Sequence, residues 1–253
     1  MTKPSEKLMI SVRELTKQFG SQQVLRGVNI DVAAGETLVI IGRSGGGKSV
    51  LLKHLTGLMT PSSGEVWIEG RQVVGLSERE LLPIRKRVGM MFQSGALFDS
   101  MTVFENVAFP LRESGERDQT AIHEKVSEAL DLVDLTGHEQ KMPVNISGGM
   151  KKRVALARVI INRPACVLYD EPTAGLDPVV SDSIDHLIRR LQKRFGVTSI
   201  VVTHDMKSAM YIADKIAYIH QGLIYFMGTP EELQASCDPL IRDFVNGHSG
   251  ETD

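Results

Sequence analysis

Leu38-Val39-Ile40-Ile41-Gly42-Arg43-Ser44-Gly45-Gly46-Gly47-Lys48-Ser49 decides how this chain is read. An apolar run meets a glycine-rich turn, and a helical pattern (Val50, Leu51, Leu52, Leu55, Leu58) follows at once. Gly42 to Ser49 fits G-x-x-x-x-G-K-[ST], the phosphate-binding loop. Glycines let the backbone wind so that successive N–H groups point at one anion. The following helix adds the positive end of its dipole. In such a loop Gly42 through Gly47, with Val50, surround the phosphates. Lys48 reaches the β- and γ-phosphates, and the Ser49 hydroxyl is a ligand for Mg²⁺. An ordinary glycine-rich turn carries no Lys-Ser directly behind it between a strand and a helix. The stretch implies a nucleoside triphosphate site.

Outward from the loop, 253 residues suffice for a full core, as one α/β domain or one domain plus a smaller lobe. The hydrophobic share of 42% and charged share of 24% are those of an ordinary globular protein. A net charge of −2 argues against nucleic acid as a partner, which requires many neutralised phosphates. The short basic clusters Arg85-Lys86-Arg87 and Lys151-Lys152-Arg153 read as solvated surface or a nucleotide-facing edge. Cys166 and Cys237 make no metal or disulfide spacing, and Cys166 reads as a small core residue. Met1-Thr2-Lys3-Pro4-Ser5-Glu6-Lys7 lacks the apolar region of a signal peptide, and no apolar run approaches the ~20 residues that span a bilayer. The expectation is a cytoplasmic chain with no direct membrane insertion, linked to a membrane only through a partner.

Along the chain, Leu8 to Val12 and Val24 to Val32 read as strands, and Thr60-Pro61-Ser62-Ser63-Gly64 as a breaker. Glu65 to Gly70 alternates, with Val66 and Ile68 on one face. Ser77 and Glu80 make a capping box for a short helix that Pro83 limits. Val88 to Phe92 is the next strand. About residues 94–160 read as an entirely helical insertion, with a second capping box at Thr102 and Glu105 and a stop at Gly137. Val167 to Tyr169 and Ser199 to Val202 are buried strands of a parallel sheet, separated by a helix that Asp177-Pro178 opens and Gly196 ends. A hairpin turning at Gln221-Gly222 and a helical tail from Thr229 complete the chain.

Asp170-Glu171 end a buried strand. In a triphosphatase the first carboxylate helps to hold Mg²⁺, and the second orients and deprotonates the attacking water. Ser147-Gly148-Gly149-Met150 opens a helix with basic residues in its first turn, a second N-terminus suited to an anion. Two phosphate-binding devices but one Lys48 suggest a head-to-tail homodimer in which each ATP lies between one chain's loop and the other chain's Ser147.

In these motifs and their order the sequence resembles the nucleotide-binding subunits of ABC transporters over nearly its whole length. The loop is Gly42 to Ser49, the Q-loop residue Gln93, and the signature Ile146-Ser147-Gly148-Gly149-Met150. The second acidic motif is Asp170 with Glu171, the D-loop runs Ala174-Gly175-Leu176-Asp177, and the switch histidine is His204. The resemblance implies an α/β P-loop NTPase, a RecA-like core with an antiparallel β subdomain (about 8–93 and 158–228). It adds an inserted α-helical signature subdomain (about 94–157) and a helical tail (229–253), all in a single domain. It implies ATP as substrate, Gln93 as a further Mg²⁺ contact, Glu171, Gln93 and His204 as catalytic, and Phe19 stacked on adenine. Ser147, Gly148, Gly149, Met150 and Asp177 would touch ATP across the dimer.

The run Phe92-Gln93-Ser94-Gly95-Ala96-Leu97-Phe98, the signature methionine Met150 and the tail Asp238 to Gly247 narrow the likeness to ATPases of Mla-type, MCE-linked phospholipid transporters. In that subfamily the ATPase works with a multi-spanning permease, an MCE-domain lipid-binding protein and a small STAS-domain protein. Some members carry a longer C-terminal extension, whereas this sequence ends at Asp253. An importer ATPase for amino acids or other small polar solutes is the second reading, and a soluble ABC ATPase outside transport the third. Leu97, Phe98 and Met101 are the expected lining of a groove that docks the permease.

Overall fold

The computed structural model describes residues 8–247. Met1–Lys7, read above as lacking a signal peptide, and residues 248–253, where the sequence ends, lie outside the described residues. In chain order the elements begin β1 (Leu8–Phe19), β2 (Gln22–Ala33), β3 (Thr37–Ile41), α1 (Lys48–Leu55), β4 (Ser63–Ile68) and β5 (Arg71–Gln72). Next come α2 (Glu78–Arg87), β6 (Val88–Met91), α3 (Val103–Glu113), α4 (Gln119–Leu132) and α5 (Gly148–Ile160). The last are β7 (Cys166–Asp170), α6 (Pro178–Phe195), β8 (Thr198–Val202), α7 (Met206–Ile212), β9 (Lys215–His220), β10 (Leu223–Gly228), α8 (Pro230–Gln234) and α9 (Pro239–Val245).

The strands form two sheets. An antiparallel sheet has the order β2-β1-β4-β5, and a larger one the order β10-β9-β3-β8-β7-β6. From β9 through β6 the larger sheet is parallel, with β10 antiparallel at its edge. Every residue of β3, β7 and β8 is buried, which is why these segments are nearly unbroken apolar runs. Side chains alternate between the faces. Val39, Ile41, Val167, Tyr169 and Val201 therefore pack with helices α3 to α7. Leu38, Ile40, Cys166, Leu168 and Ile200 pack with α1, α2 and the antiparallel sheet. This is the expected α/β class with its separate antiparallel sheet.

Four expectations need correction. β1 does not stop at Val12 but runs to Phe19, because register shifts between Val12 and Leu15 break the period-2 pattern that the sequence would otherwise show. Pro83 lies inside α2 and does not end it. The missing N–H costs one helical bond, while Leu81 and Ile84 are buried and Arg85 donates to the carbonyls of Thr56 and Gly57 at 3.2 Å each. Residues 94–160 are not helical throughout, since 92–102 and most of 133–147 are irregular. Nor is Gly137 the stop of α4, which ends at Leu132, with Asp134 turning the chain at φ 57°.

The irregular stretch after β6 is held by one fully buried side chain. Asn106 Nδ2 donates to the carbonyls of Phe98, Met101 and Thr102 at 3.1, 3.0 and 3.0 Å, and its Oδ1 accepts the Phe98 N–H at 2.9 Å. A buried backbone group left unpaired costs about 1–3 kcal/mol. Asn106→Ala is therefore expected to lower the folding free energy by about 2–4 kcal/mol, seen as a lower urea midpoint. An unchanged midpoint would show that water replaces the amide without loss.

Candidate nucleotide-binding and hydrolysis site

At the C-terminal ends of β3, β7 and β8 lies an open cavity of about 410 Å³, lined by Val24, Ser44 to Val50, Gln93, Glu171 and His204. Gly42 leaves β3 so close to β9 that a Cβ there would stand 2.6 Å from the Ile219 carbonyl oxygen. Gly47 caps α1 at φ 94°, and a Cβ on it would meet Leu25 Cδ2 at 2.9 Å. Both positions are closed to larger residues. Among the nine described α-helices, α1 alone lacks a side-chain acceptor at its N-cap; Ser, Thr or Asp supplies one in all the others. The first-turn N–H groups of α1 are thus left to a ligand, and the dipole favours an anionic one.

Lys48 is buried, and its Nζ donates back to the carbonyls of Gly42 at 2.7 Å and Arg43 at 3.1 Å. Burial pulls its pKa below the ordinary lysine value, against the opposing charges of Glu171 and Asp170. A phosphate beside it would add further negative charge to that of the two carboxylates. Ser49 Oγ donates to Asp170 Oδ1 at 2.7 Å, which joins α1 to the tip of β7. Glu171 follows with φ 49°, a left-handed conformation that costs a non-glycine residue about 1–3 kcal/mol. Its Oε2 lies 2.9 Å from His204 Nδ1. A carboxylate only accepts, so in this contact Nδ1 carries the hydrogen and donates it to Glu171.

The remaining expected residues stand apart from this cavity. Ser147 caps α5, its Oγ accepting the Met150 N–H at 3.3 Å while keeping its own hydrogen to donate. Gly149 lets α5 approach α6: a Cβ there would be 2.5 Å from Val180 Cγ1, and one on Gly148 would be 3.4 Å from Leu176 Cδ2. Asp177 caps α6 through the N–H groups of Val179 and Val180. Phe19 ends β1 as a residue 45% exposed, with Lys17 Nζ 5.0 Å from its ring centroid, so it is no core aromatic and does not line the cavity.

Two residues near the site escaped the sequence reading. Val24 reaches the cavity because the β1–β2 hairpin folds over Gly47, which no local spacing announces. Lys152 was placed on a solvated or nucleotide-facing edge, yet it is buried, and its Nζ donates to the Gln93 carbonyl and, at 3.3 Å, to the Glu171 carbonyl. A signal existed: Gly149, Lys152 and Leu156 fall on one buried helical stripe at i, i+3 and i+7. The three arginines of the two clusters also pair within the chain, Arg85 with Glu78. Arg87 pairs with Glu69, while Arg153 pairs with Asp134 and donates to the Val133 carbonyl.

A match to the ABC transporter family covers residues 25–174. A Mycobacterium leprae protein named as a probable ribonucleotide transport ATP-binding protein, mkl, is 42% identical over 238 residues, 94% of this chain and 69% of that one. The chain spans about two thirds of the mycobacterial relatives it matches, 69% or 66%. The intermembrane phospholipid transport system ATP-binding protein MlaF of Haemophilus influenzae is 40% identical over 241 residues, 95% of this chain and 91% of its own. Among solved structures, a dimeric ATP-binding cassette in a post-hydrolysis state with ADP and Pi superposes with a TM-score of 0.81 at 32% identity, over 88% of this chain and 99% of that one.

Removing the Lys48 ammonium takes away a charge-assisted contact worth about 1.5–3 kcal/mol. Lys48→Ala is expected to weaken binding of a fluorescent ATP analogue by about 10- to 100-fold with the fold retained by circular dichroism. Wild-type affinity in the folded variant would remove Lys48 from the site.

Proposed function

This chain belongs to the ABC transporter family, as an ATP-binding subunit that hydrolyses ATP, and we propose that it drives the movement of phospholipid between two membranes. The phosphates of ATP would sit in the cavity under the uncapped N-terminus of α1, with Lys48 turned from its two carbonyls toward the β- and γ-phosphates. Glu171 would take the proton of the attacking water, and His204, hydrogen-bonded to it, would hold that carboxylate and meet the γ-phosphate. Phe19 would reach adenine only as an exposed ring at the rim.

Ser49 Oγ and Asp170 Oδ1, 2.7 Å apart, are hard oxygen donors of the kind Mg²⁺ takes, with Gln93 on the same cavity wall. Mg²⁺ is usually held by one or two protein oxygens together with substrate phosphates, which this pair would allow. When bound, Mg²⁺ supplies positive charge against the phosphate oxygens.

Ser147 to Met150 and Asp177 do not line their own chain's cavity, and in this reading they complete the site of a second copy in a homodimer. The likeness to a cassette that is dimeric with ADP and Pi supports this. The permease would enter the groove of about 590 Å³ between α2, the loop after β6, α3 and α5. Leu58, Leu82, Phe92 and Phe98 are exposed there, Phe98 stands 4.8 Å from Phe109 by ring centroids, and the Arg158 guanidinium lies 5.8 Å from the Phe98 ring. An apolar groove with a cationic edge suits an amphipathic helix. Leu97 is not part of it; it packs on the core, and Met101 is not in the lining either. No described helix is long and apolar enough to cross a membrane, so attachment to the cytoplasmic face of the inner membrane would pass through the permease.

Every subunit of this type shares the ATP chemistry, so cargo follows from partners. The observation that carries the phospholipid reading is the alignment with MlaF across 91% of that protein. In this reading an MCE-domain protein and a small STAS-domain protein complete the complex. An importer of amino acids or other small polar solutes is the second reading, supported by the methionine import ATP-binding protein MetN of Mesorhizobium japonicum, 42% identical over 220 residues.

Phe98→Asp places a charge in the groove and is expected to abolish co-purification with the permease while ATP affinity and melting temperature stay at wild-type values. Retained co-purification would move the docking surface elsewhere. Deletion of the gene is expected to leave the outer membrane permeable to detergent, with phospholipid accumulating in its outer leaflet. Wild type should restore the barrier and Glu171→Gln should not, since loss of the general base costs about 10²–10⁴ in rate. An intact barrier together with lost uptake of one polar solute would decide for the importer.

A further inference from the structure

We propose that Lys152 is a positioning residue for hydrolysis, its buried ammonium fixing the backbone directions of Gln93 and Glu171 together. The inference rests on the reading of Glu171 as the proton acceptor. Gln93 and Glu171 lie on different segments, the loop after β6 and the tip of β7, and both side chains line the cavity. Lys152 does not line it. From the first turns of α5 its Nζ donates to the main-chain carbonyl of each.

The Glu171 peptide is thereby held on both sides. Its N–H donates to the Val202 carbonyl at 2.9 Å, and its carbonyl accepts the Ala174 N–H at 3.2 Å as well as Lys152 at 3.3 Å. A left-handed φ on glutamate persists only where its surroundings over-determine it, and these three contacts do so. With the main chain fixed, only side-chain rotation remains to aim the carboxylate. The same ammonium sets the peptide that follows Gln93, so a shift of that loop is felt at Glu171 through two hydrogen bonds.

A cation 6% exposed is costly to bury unless it is paired. Here it is paired with two carbonyl oxygens, and Asp170 and Glu171 lend it their field, while burial still draws its pKa down. A helix needing only packing at this place would carry an apolar residue, as Leu156 does one turn further along the same stripe.

The test compares full-length K152M, which keeps the length without donors, and K152Q, which keeps an N–H donor without charge. A displacement of about 1 Å at a reacting group costs about 100-fold, so K152M is expected to lose about 10- to 100-fold in kcat with KM for ATP within about two-fold of wild type. K152Q should recover part of that loss. Unchanged kcat in K152M, or a fall matched by equal losses of ATP affinity and melting temperature, overturns the proposal. If K152M does not fold, K152Q alone is compared with wild type, and wild-type kcat in it is the overturning result. A parallel E171Q sample separates the two readings: if it hydrolyses normally the role of Glu171 fails, and if it is inactive beside an active K152M only the positioning role does.

Discussion

The 2.7 Å hydrogen bond from Ser49 to Asp170 spans 121 residues of sequence, and the rest of the cavity depends on it being made. It requires β3 and β7, which are not neighbours, to end at the same level. β8 between them enforces this, because Ile40 and Asp170 are both in register with Val202. The ladder continues past the strand ends, Thr203 donating to Ile40 at 3.2 Å and Glu171 to Val202 at 2.9 Å. A slip of one residue would exchange the two faces of a strand whose every residue is buried. The unbroken cores above and below the sheet are therefore what keep a hydroxyl and a carboxylate in contact.

Local rules are kept almost everywhere in this chain and broken where the cavity lies. Helices other than α1 close their N-termini with Ser, Thr or Asp, three of them with full capping boxes. α1 begins at a left-handed glycine with its donors exposed, Lys48 is drawn under the loop onto two carbonyls, and Glu171 stands in a strained conformation. Such departures concentrate at sites whose partner is not the protein itself. The hydroxyl of Ser147 is an intermediate case, since it caps its own helix and still holds a hydrogen to give.

Most of what is local in its physics was legible in the sequence, the end of α4 at Leu132 being an exception. The loop from Gly42 to Ser49, the capping boxes, the Gly196 stop at φ 62° and the Gln221-Gly222 turn each depend on a few adjacent residues. The other failures come from distant contacts. Bulges hid the second half of β1, tertiary anchoring carried α2 through Pro83, and Val24 joins the cavity only when the hairpin folds over it. Lys152 shows how composition misleads. Three cations in succession suggest solvent, yet α5 turns 100° per residue, and the middle one falls on the buried stripe.

That stripe and its neighbours make α5 the element that touches both the loop after β6 and the main chain of Glu171. Lys152 holds the Gln93 carbonyl, and six residues later Arg158 donates to the carbonyls of Gly95 and Ala96 at 2.8 Å each while lying over Phe98. Between those two cations the loop has little freedom left, for Gly95 and Ala96 both sit at positive φ and their carbonyls are already taken. On its other side α5 is pressed against α6 at Gly149, where a Cβ would be 2.5 Å from Val180 Cγ1. Two cations of one helix thus fix both ends of the loop, Lys152 at Gln93 and Arg158 at Gly95 and Ala96, and Lys152 ties the same helix to the main chain of Glu171.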